Sequence, residues 1–294
     1  MKSNRWLKRQ SKDLYVKKAK KIGFLSRAAY KLIEIDKKYK LILKSSDILE
    51  LGASPGSWSQ VIININDKAK VEAFDTINMK FKHKNIKFNI ENGIAHLKLA
   101  RDDIRNAYSE KLFCEEIVSA VNIANNNQDA RVLVLSAEGS TFSAGGNIKD
   151  MKNKKGIFGG GPAGTRRGYI EGIQQVPKSL YSLDIPSIAA VQGPAIGAGC
   201  DLALYCDIVI ASEKARFGET FINVGIIPGD GGAWILPRRV GLQRAAELIF
   251  TGRIVDGVEA AEIGLALECV SHAKLMSRAT EIAEMIASRP PVTA

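Results

Sequence analysis

A run of small residues that leads to an acid gives the clearest chemical signal in this chain. The apolar run 188–191 predicts a buried strand, Gly193-Pro194 ends it, and the small residues at 195–199 precede a helical run that starts at Asp201. The first N–H groups of such a helix are unpaired, and the helix dipole favours a negatively charged oxygen there. Asp201 could carry a proton beside that oxygen, so the pattern indicates chemistry through an enolate. A plain strand–helix turn with an N-terminal Asp explains this stretch equally well.

Another glycine-rich turn, at 144–146, also follows a predicted buried strand and precedes a predicted helix. Together with the turn at 197–199, it could direct backbone N–H groups at one shared oxygen. In chain order, 144–146 is called the first turn below and 197–199 the second turn. A third glycine-rich segment, 156–164, has the wrong spacing for a phosphate-binding motif and predicts a flexible loop.

Length and composition narrow the class of protein. The 294 residues suffice for one large domain or two small ones, and 46% hydrophobic and 25% charged residues are ordinary for a globular protein. The Lys-rich N-terminus has no apolar region of a secretory signal behind it, and no apolar run approaches the ~20 residues of a membrane span. The four cysteines are scattered, which argues for reduced thiols and against a metal site. We therefore expect a cytoplasmic protein.

The positive charge lies in the first third of the chain. Residues 1–88 hold 21 basic and 8 acidic side chains, whereas the rest holds 21 basic and 23 acidic ones. Within residues 1–44, apolar residues from Leu25 to Ile35 recur at helical spacing with lysines mostly off that stripe. Such a basic helix is typical of RNA binding, although a solvated Lys-rich helix would have the same composition.

The motifs of this first third resemble one family. A predicted buried strand at 48–51 runs into the turn Gly52-Ala-Ser-Pro-Gly-Ser-Trp58, and a second predicted strand ends at Asp75. With the segments Arg5–Gln10 and Ser26–Leu32, they resemble the N-terminal part of FtsJ-like ribosomal RNA 2′-O-ribose methyltransferases.

That resemblance implies a partial Rossmann-like fold with a vestigial S-adenosylmethionine motif at 50–60. It implies contacts to that cofactor from Gly56, Trp58 and Asp75, and a role toward RNA for Lys31, the first member of a Lys-Asp-Lys-Glu catalytic set. The pattern stops after Phe88, before the other three members. We therefore expect an incomplete domain, 1–88, that transfers no methyl group.

The remainder, 89–294, alternates between strands and helices. The pattern predicts a hairpin over 90–99, a strand over 130–136, helices over about 109–125 and 166–183, a strand over 208–211, a loop over 217–232 and mostly helix over 233–288. This alternation predicts an α/β fold with helices packed on a sheet.

Several motifs in residues 88–294 resemble the enoyl-CoA hydratase/isomerase (crotonase) superfamily. They are Arg105-Asn-Ala, Phe142-Ser-Ala-Gly-Gly-Asn-Ile, the stretch 193–203, Cys206-Asp-Ile and the segment Phe217–Gly232. The resemblance implies a crotonase-type ββα superhelix, an acyl-CoA substrate and no separate cofactor. It also implies a homotrimer or a dimer of trimers. Because members of the superfamily usually continue through further helices, it implies that this chain lacks its last helices.

The resemblance also implies roles for individual residues. The N–H groups of Gly146 and Ala198 would form an oxyanion hole for the thioester carbonyl. The coenzyme A groove would be bordered by Arg105, Ala107, Ala144, Asn147 and Ile148.

The acids depart from the hydratase pattern of two glutamates. The first position is Asp201, and the second falls on Phe221, which cannot transfer a proton. An additional acid, Asp230, lies at a position where some isomerase-type relatives carry a functional aspartate, and Glu219 could reach the site if its backbone is extended. Proton transfer by Asp201 and Asp230, as in isomerisation, fits these residues. Hydration remains an alternative, and so does a turn in which Asp230 caps the next helix.

Three functions stay open at this point. The first is an acyl-CoA hydratase/isomerase acting through Gly146, Ala198, Asp201 and Asp230. The second is an RNA-binding protein or methyltransferase that uses Lys31 and the basic helix. The third is an inactive composite of two partial domains.

Overall fold

The computed structural model describes residues 13–22, 24–45, 47–51, 53, 56–66, 68–74 and 85–290. The chain divides into two compact units, residues 1–82 and 83–294. The boundary predicted after residue 88 therefore falls inside a strand of the second unit, Ile86–Glu91.

The first unit contains a βαβ arrangement. Its elements are α1 (Leu14–Ile22), α2 (Ala28–Tyr39), β1 (Asp47–Leu51), α3 (Ser57–Ile65) and β2 (Lys70–Phe74). Strands β1 and β2 are parallel, and α3 connects them. A small core forms where Ala29, Ile42, Val61 and Ile62 meet.

The prediction that β1 is a buried strand is wrong for its alternate residues. Leu49 and Leu51 are 61% and 75% exposed, while Glu50 between them is buried. The physical reason is that, among the described residues, β1 pairs only with β2, so one face of this two-stranded sheet has no covering layer.

A six-stranded sheet forms the centre of the second unit. Its strands are β3 (Ile86–Glu91), β4 (Ile94–Leu99), β5 (Val132–Ala137), β6 (Ser187–Val191), β8 (Ile208–Ser212) and β11 (Glu268–Val270). Their order is β11-β8-β6-β5-β4-β3, and all neighbours are parallel except the hairpin β3–β4. The predicted hairpin is confirmed and starts four residues earlier than expected. Strand β6 is buried along its whole length, as its continuous apolar sequence predicts.

A second, three-stranded sheet lies next to the glycine-rich turns. It consists of β7 (Pro194–Ile196), β9 (Arg216–Gly218) and β10 (Val255–Asp256), in the order β10-β9-β7. Ser143 forms an isolated parallel bridge with Ala195 of β7, which brings the chain before the first turn beside the chain before the second.

Helices cover the sheets of the second unit. They are α4 (Lys111–Asn126), α5 (Ile148–Lys152), α6 (Gly161–Glu171), α7 (Gln175–Tyr181), α8 (Ala198–Leu204), α9 (Gly232–Val240), α10 (Leu242–Thr251), α11 (Gly257–Glu262) and α12 (Leu275–Ala287). Within the described ranges, no helix is both long and apolar enough to cross a membrane.

Two helix predictions need correction. The segment expected as a flexible loop, 156–164, contains a 3₁₀ turn whose Ile157 and Phe158 are buried, and the first turn of α6. The single helix expected over 166–183 is two helices, because Gly172 adopts φ −115° and ψ −106°, outside the helical region. Burial of the Ile157 and Phe158 side chains orders the segment 156–164, although its glycine content favoured a loop.

Candidate active site

Tyr108 holds the two glycine-rich turns together. Its side chain is fully buried, its N–H donates to the carbonyl of Gly145 at 3.0 Å, and its hydroxyl donates to the carbonyl of Ala198 at 2.6 Å. Tyr108 follows the Arg105-Asn-Ala motif, and the carbonyl of Arg105 accepts a hydrogen bond from the N–H of Ala144. One short segment therefore fixes both turns.

Replacing Tyr108 with phenylalanine removes the hydroxyl that joins the turns. We expect Tyr108→Phe to lower the free energy of unfolding by about 1 kcal/mol, since a buried hydrogen bond contributes roughly that amount. Tyr181→Phe is the matched control, because Tyr181 is 64% exposed. Urea unfolding of both variants measures the difference, and equal stabilities would show that the Tyr108 hydroxyl adds nothing to the fold.

The first turn lies directly on the start of α8. Gly145 has φ 71°, and a Cβ atom added there would lie 2.5 Å from the carbonyl oxygen of Ile196 and 2.9 Å from the nitrogen of Ala198. Ser143 supports this contact, because its hydroxyl donates to the carbonyl of Asn106 and accepts from the N–H of Gly145. Only glycine fits at 145, both by conformation and by space.

The backbone N–H groups of Gly146 and Ala198 are called the N–H pair below. Neither has a hydrogen-bond acceptor among the described residues. In contrast, the N–H groups on both sides of Gly146 are bonded, that of Gly145 to Ser143 and that of Asn147 to the hydroxyl of Ser109 at 3.1 Å. Two such N–H donors at neighbouring turns are suited to bind an anionic oxygen.

Three acids, Asp201, Glu219 and Asp230, form a carboxyl cluster. Their side chains are 0%, 2% and 4% exposed. Asp201 lies one helical turn after Ala198, on the same face of α8. A Cβ atom added to Gly232 would lie 2.3 Å from Oδ1 of Asp201 and 2.6 Å from Oε2 of Glu219. These two carboxyl groups therefore converge over the first residue of α9.

The carboxyl cluster is short of hydrogen-bond donors. Among the described residues, no donor meets strict hydrogen-bond geometry at either oxygen of Asp201, either oxygen of Glu219 or Oδ1 of Asp230. The backbone N–H of Gly232 approaches Asp201, and the Cys200 thiol approaches Glu219. A buried carboxylate without a donor is costly, so retaining a proton is favoured. A proton on Asp201 would supply the missing donor, because Asp201 could then donate to Glu219.

The pKa values of the three acids differ accordingly. Burial, followed by the negative charge of Glu219, raises the pKa of Asp201 well above its usual range. Burial raises the pKa of Glu219 to about 7, although its hydrogen bond with Asp201 acts in the opposite direction. Burial alone raises the pKa of Asp230 to about 6. Burial therefore favours the protonated form of Asp201, whereas Asp230, with a pKa of about 6, is largely ionised at neutral pH.

The alternative role of Asp230 as a helix cap is wrong. Helix α9 begins after Gly231 without any side-chain cap, and α8 likewise begins without one. Within the described part of the chain, no three His, Cys, Asp or Glu side chains are grouped so that they could hold a metal ion.

A cleft of about 430 Å³ opens at Asp230. We call it the aromatic cleft, because three of its walls are Tyr181, Tyr205 and Trp234. The rings of Tyr181 and Trp234 meet edge to face with centroids 5.2 Å apart, and the guanidinium of Arg238 lies 3.8 Å from the Trp234 ring. The other lining residues are Gln174, Pro177, Lys178, Gly229 and Gly231. An apolar, partly aromatic group would fit this surface.

Phe221 lies where the resemblance would put a second glutamate. It is 8% exposed, and its ring is 3.6 Å from the position of a Cβ atom on Gly197. It therefore presents an apolar ring to the second turn. Glu219 reaches Asp201 by a route other than the expected one, because its backbone has φ −85° and ψ 65° and is not extended.

The residues predicted to border a coenzyme A groove surround the first turn. Arg105 and Ile148 are exposed, Ala107 is buried, and Ala144 is bonded to the Arg105 carbonyl. Asn147 caps α5 by accepting from the N–H of Lys149 at 3.0 Å. The hydrogen bond from Ala144 to Arg105 links two of the five, and their role at a coenzyme A groove stays a prediction.

The residues predicted to bind S-adenosylmethionine or RNA lie in the first unit. Gly56 precedes α3 with φ 93°, and the indole N–H of Trp58 donates to the carbonyl of Ala28 at 2.9 Å. Lys31 is exposed on α2, and Asp75 lies outside the described residues. The indole donor is thus occupied by the protein itself.

The role of Tyr108 was not predicted from the sequence, because a tyrosine after a motif has no distinctive spacing. The pairing of Glu219 with Asp201 was missed in the same way, since it depends on two elements far apart in sequence. An acid directly after a short strand such as β9 was the available signal.

Comparison with known proteins gives consistent results for the second unit. The profile of the enoyl-CoA hydratase/isomerase family matches residues 89–294. The short-chain-enoyl-CoA hydratase of Clostridium acetobutylicum is 37% identical over 208 residues, which cover 71% of this chain and 77% of the relative. The trans-2-decenoyl-[acyl-carrier-protein] isomerase of Streptococcus mutans is 32% identical over 192 residues, 65% of this chain and 72% of the relative.

Solved structures share the architecture. The crystal structure of an enoyl-CoA hydratase from Bacillus anthracis superposes with a TM-score of 0.66 at 34% identity, covering 71% of this chain and 78% of the other. A structure from Cupriavidus metallidurans, described as an enoyl-CoA hydratase/isomerase, gives a TM-score of 0.65 at 32% identity over 72% and 77% of the two chains.

Proposed function

Because this chain belongs to the enoyl-CoA hydratase/isomerase family, we propose that its second unit binds an enoyl-CoA and moves the carbon–carbon double bond. The observation that supports this activity most directly is the pair of buried acids, Asp201 one helical turn after Ala198 and Asp230 at the aromatic cleft. Burial raises the pKa of Asp201 well above its usual range and that of Asp230 to about 6, so the first favours the role of acid and the second the role of base. Isomerisation needs one group that removes a proton and another that returns one.

In this proposal, the N–H pair binds the thioester carbonyl oxygen of the substrate. The negative charge that develops on this oxygen when C2 loses a proton would be stabilised by two preorganised donors. The first turn and its bordering residues, Arg105, Ala107, Ala144, Asn147 and Ile148, would contact the coenzyme A portion. The acyl chain would extend into the aromatic cleft.

The acids divide the proton transfer between them. The Asp230 carboxylate takes a proton from C2 of a 3-enoyl thioester, and the double bond shifts to C2–C3 as Asp201 gives its proton to C4. One proton leaves the substrate and one enters it, so a transfer from Asp230 back to Asp201, directly or through solvent, restores the starting state. Hydration is less well supported, because Phe221 replaces the second carboxylate that would hold the water.

Incubation with a 3-enoyl-CoA tests the proposal. We expect the absorbance of the conjugated 2-enoyl thioester to rise, and no loss of that absorbance when a 2-enoyl-CoA is supplied instead. Loss of absorbance from the 2-enoyl-CoA would identify a hydratase. No change with either substrate would contradict the proposed activity.

The rate of isomerisation should depend on pH through Asp230. A base works only when it is ionised, so kcat/KM should rise with pH through about 6, the value to which burial raises the pKa of Asp230. It should fall again at higher pH, where Asp201 loses its proton. A pantetheine thioester, which lacks the nucleotide phosphate groups of coenzyme A, is the control for titration of the substrate. A rise near the ordinary aspartate pKa of about 4 would contradict this assignment.

The finer predictions for the rest of the chain remain proposals. The match to the family begins at residue 89, after the first unit. We propose that the first unit derives from a methyltransferase-like domain, supported by its βαβ order and by the position of Gly56 before α3. Assembly into trimers is a proposal that follows from the family resemblance alone.

A further inference from the structure

Glu219 is a buried acid that the proposed reaction does not use. It follows β9 and precedes a 3₁₀ turn, and its side chain is 2% exposed. Among the described residues, no donor meets strict hydrogen-bond geometry at its carboxyl oxygens, although the Asp201 carboxyl and the Cys200 thiol approach them. Burying a carboxyl group in this way is costly, so its presence beside Asp201 calls for a role.

Asp201 is the acid whose carboxyl group contacts that of Glu219. Their oxygens converge at Gly232, where a Cβ atom would lie 2.3 Å from Oδ1 of Asp201 and 2.6 Å from Oε2 of Glu219. Any side chain at position 232 would therefore separate the two carboxyl groups. Since Asp201 is fully buried, Glu219 is well placed to accept a hydrogen bond from the protonated Asp201 carboxyl group.

Among the other titratable and charged groups around Glu219, the Cys200 thiol of α8 also contacts its carboxyl group, but a thiol is a weak hydrogen-bond donor. The remaining groups are the Tyr108 hydroxyl, the Asp230 carboxyl and the Arg253 guanidinium. The Tyr108 hydroxyl donates to the Ala198 carbonyl. Arg253 lies across a cavity of about 10 Å³, but its guanidinium is bound to Glu247 and Glu259. No cation therefore neutralises Glu219 in this part of the structure.

We propose that Glu219 is a positioning residue that keeps Asp201 protonated, by accepting its hydrogen bond, so that Asp201 acts only as the acid in the reaction. The inference rests on the proposed isomerase function. A negative charge next to a carboxyl group opposes its ionisation, and a hydrogen-bond acceptor favours its neutral form. Glu219 itself need not touch the substrate.

The test is the pH profile of the Glu219→Gln variant. Removing the neighbouring charge lowers the pKa of Asp201, so the alkaline fall in kcat should move to lower pH by about one unit or more. Activity above that fall should drop about tenfold relative to the native chain, while activity on the acid side is retained. Glu262→Gln is the matched control, because Glu262 is exposed on α11. Glu219→Asp keeps the charge and should restore most of the native profile.

Two further outcomes decide the proposal. Superimposed profiles of Glu219→Gln, Glu262→Gln and the native chain would overturn it. Infrared difference spectra between the native chain and Asp201→Asn should show the carbonyl stretch of a protonated acid, which should disappear at lower pH in Glu219→Gln. The infrared readout needs no turnover, so it separates failure of the Glu219 role from failure of the isomerase function. If Glu219→Gln does not fold, the native spectrum is the remaining test, and absence of the protonated-acid band of Asp201 overturns the proposal.

Discussion

Gly145→Ala should abolish most of the activity, whereas Gly225→Ala, at a glycine with the same backbone conformation, should be tolerated. Gly145 and Gly225 both have φ 71°, but a Cβ atom on Gly145 would lie 2.5 Å from the Ile196 carbonyl, whereas one on Gly225 meets nothing within 4 Å. Both variants bear the left-handed strain of about 1 kcal/mol. Only Gly145→Ala also pushes the first turn away from α8.

That displacement would separate the two groups of the N–H pair. Because loss of one such donor costs about 10²–10³ in rate, we expect kcat/KM of Gly145→Ala to fall by at least that factor. Gly225→Ala should remain within about threefold of the native chain, since a Cβ atom there meets no neighbour and the strain changes stability rather than the position of the first turn. Isomerase assays, together with calorimetric titration of a non-reactive acyl-CoA, measure both effects. Equal binding and turnover in the two variants would mean that the turn contact does not organise the site.

Asp230→Asn should have the second large effect. The amide keeps the shape of the side chain but cannot remove a proton, so kcat should fall by about 10²–10⁴, the range for loss of a general base. Substrate binding should change little, because the N–H pair and the aromatic cleft remain. The rise of the rate through about pH 6 should also disappear, since it arises from the pKa of Asp230.

Asp129→Asn is the control for Asp230→Asn. Asp129 is an exposed aspartate of the same unit, outside the carboxyl cluster, so its variant should behave like the native chain. Activity of Asp230→Asn within about threefold of native would assign the base to another residue, because loss of a working base exceeds that range.

The sequence predicts the main chain of the second unit well and its side-chain contacts poorly. The apolar runs of β5, β6 and β8 have the length and composition of buried parallel strands, and their positions are confirmed within two residues. The start of α8 differs, since the helix begins at Ala198, three residues before the expected start. A Cβ atom on Gly199 would lie 2.2 Å from the Ser143 carbonyl, so tertiary packing fixes this glycine in a helix that its propensity disfavours.

The candidate site shows the same division. The motifs were sufficient to predict the two turns, Asp201 and Asp230, because these residues lie within short, continuous segments. The contact of Glu219 with Asp201 depends on how β9 ends and on the absence of a side chain at Gly232. Local sequence patterns do not encode such a contact. It depends on the register of the two sheets and on where α9 begins.

The hydrogen bonds of Tyr108 have a consequence for how the protein becomes active. They join Gly145 and Ala198, which belong to segments separated by three helices, α5 to α7, and two strands, β6 and β7. Contacts between residues so distant in sequence close large loops, and they form late relative to local helices. A nascent or partly refolded chain can thus hold every residue of the site and still lack the site itself. The protein therefore becomes catalytically competent only when the last long-range contacts form, after the secondary structure.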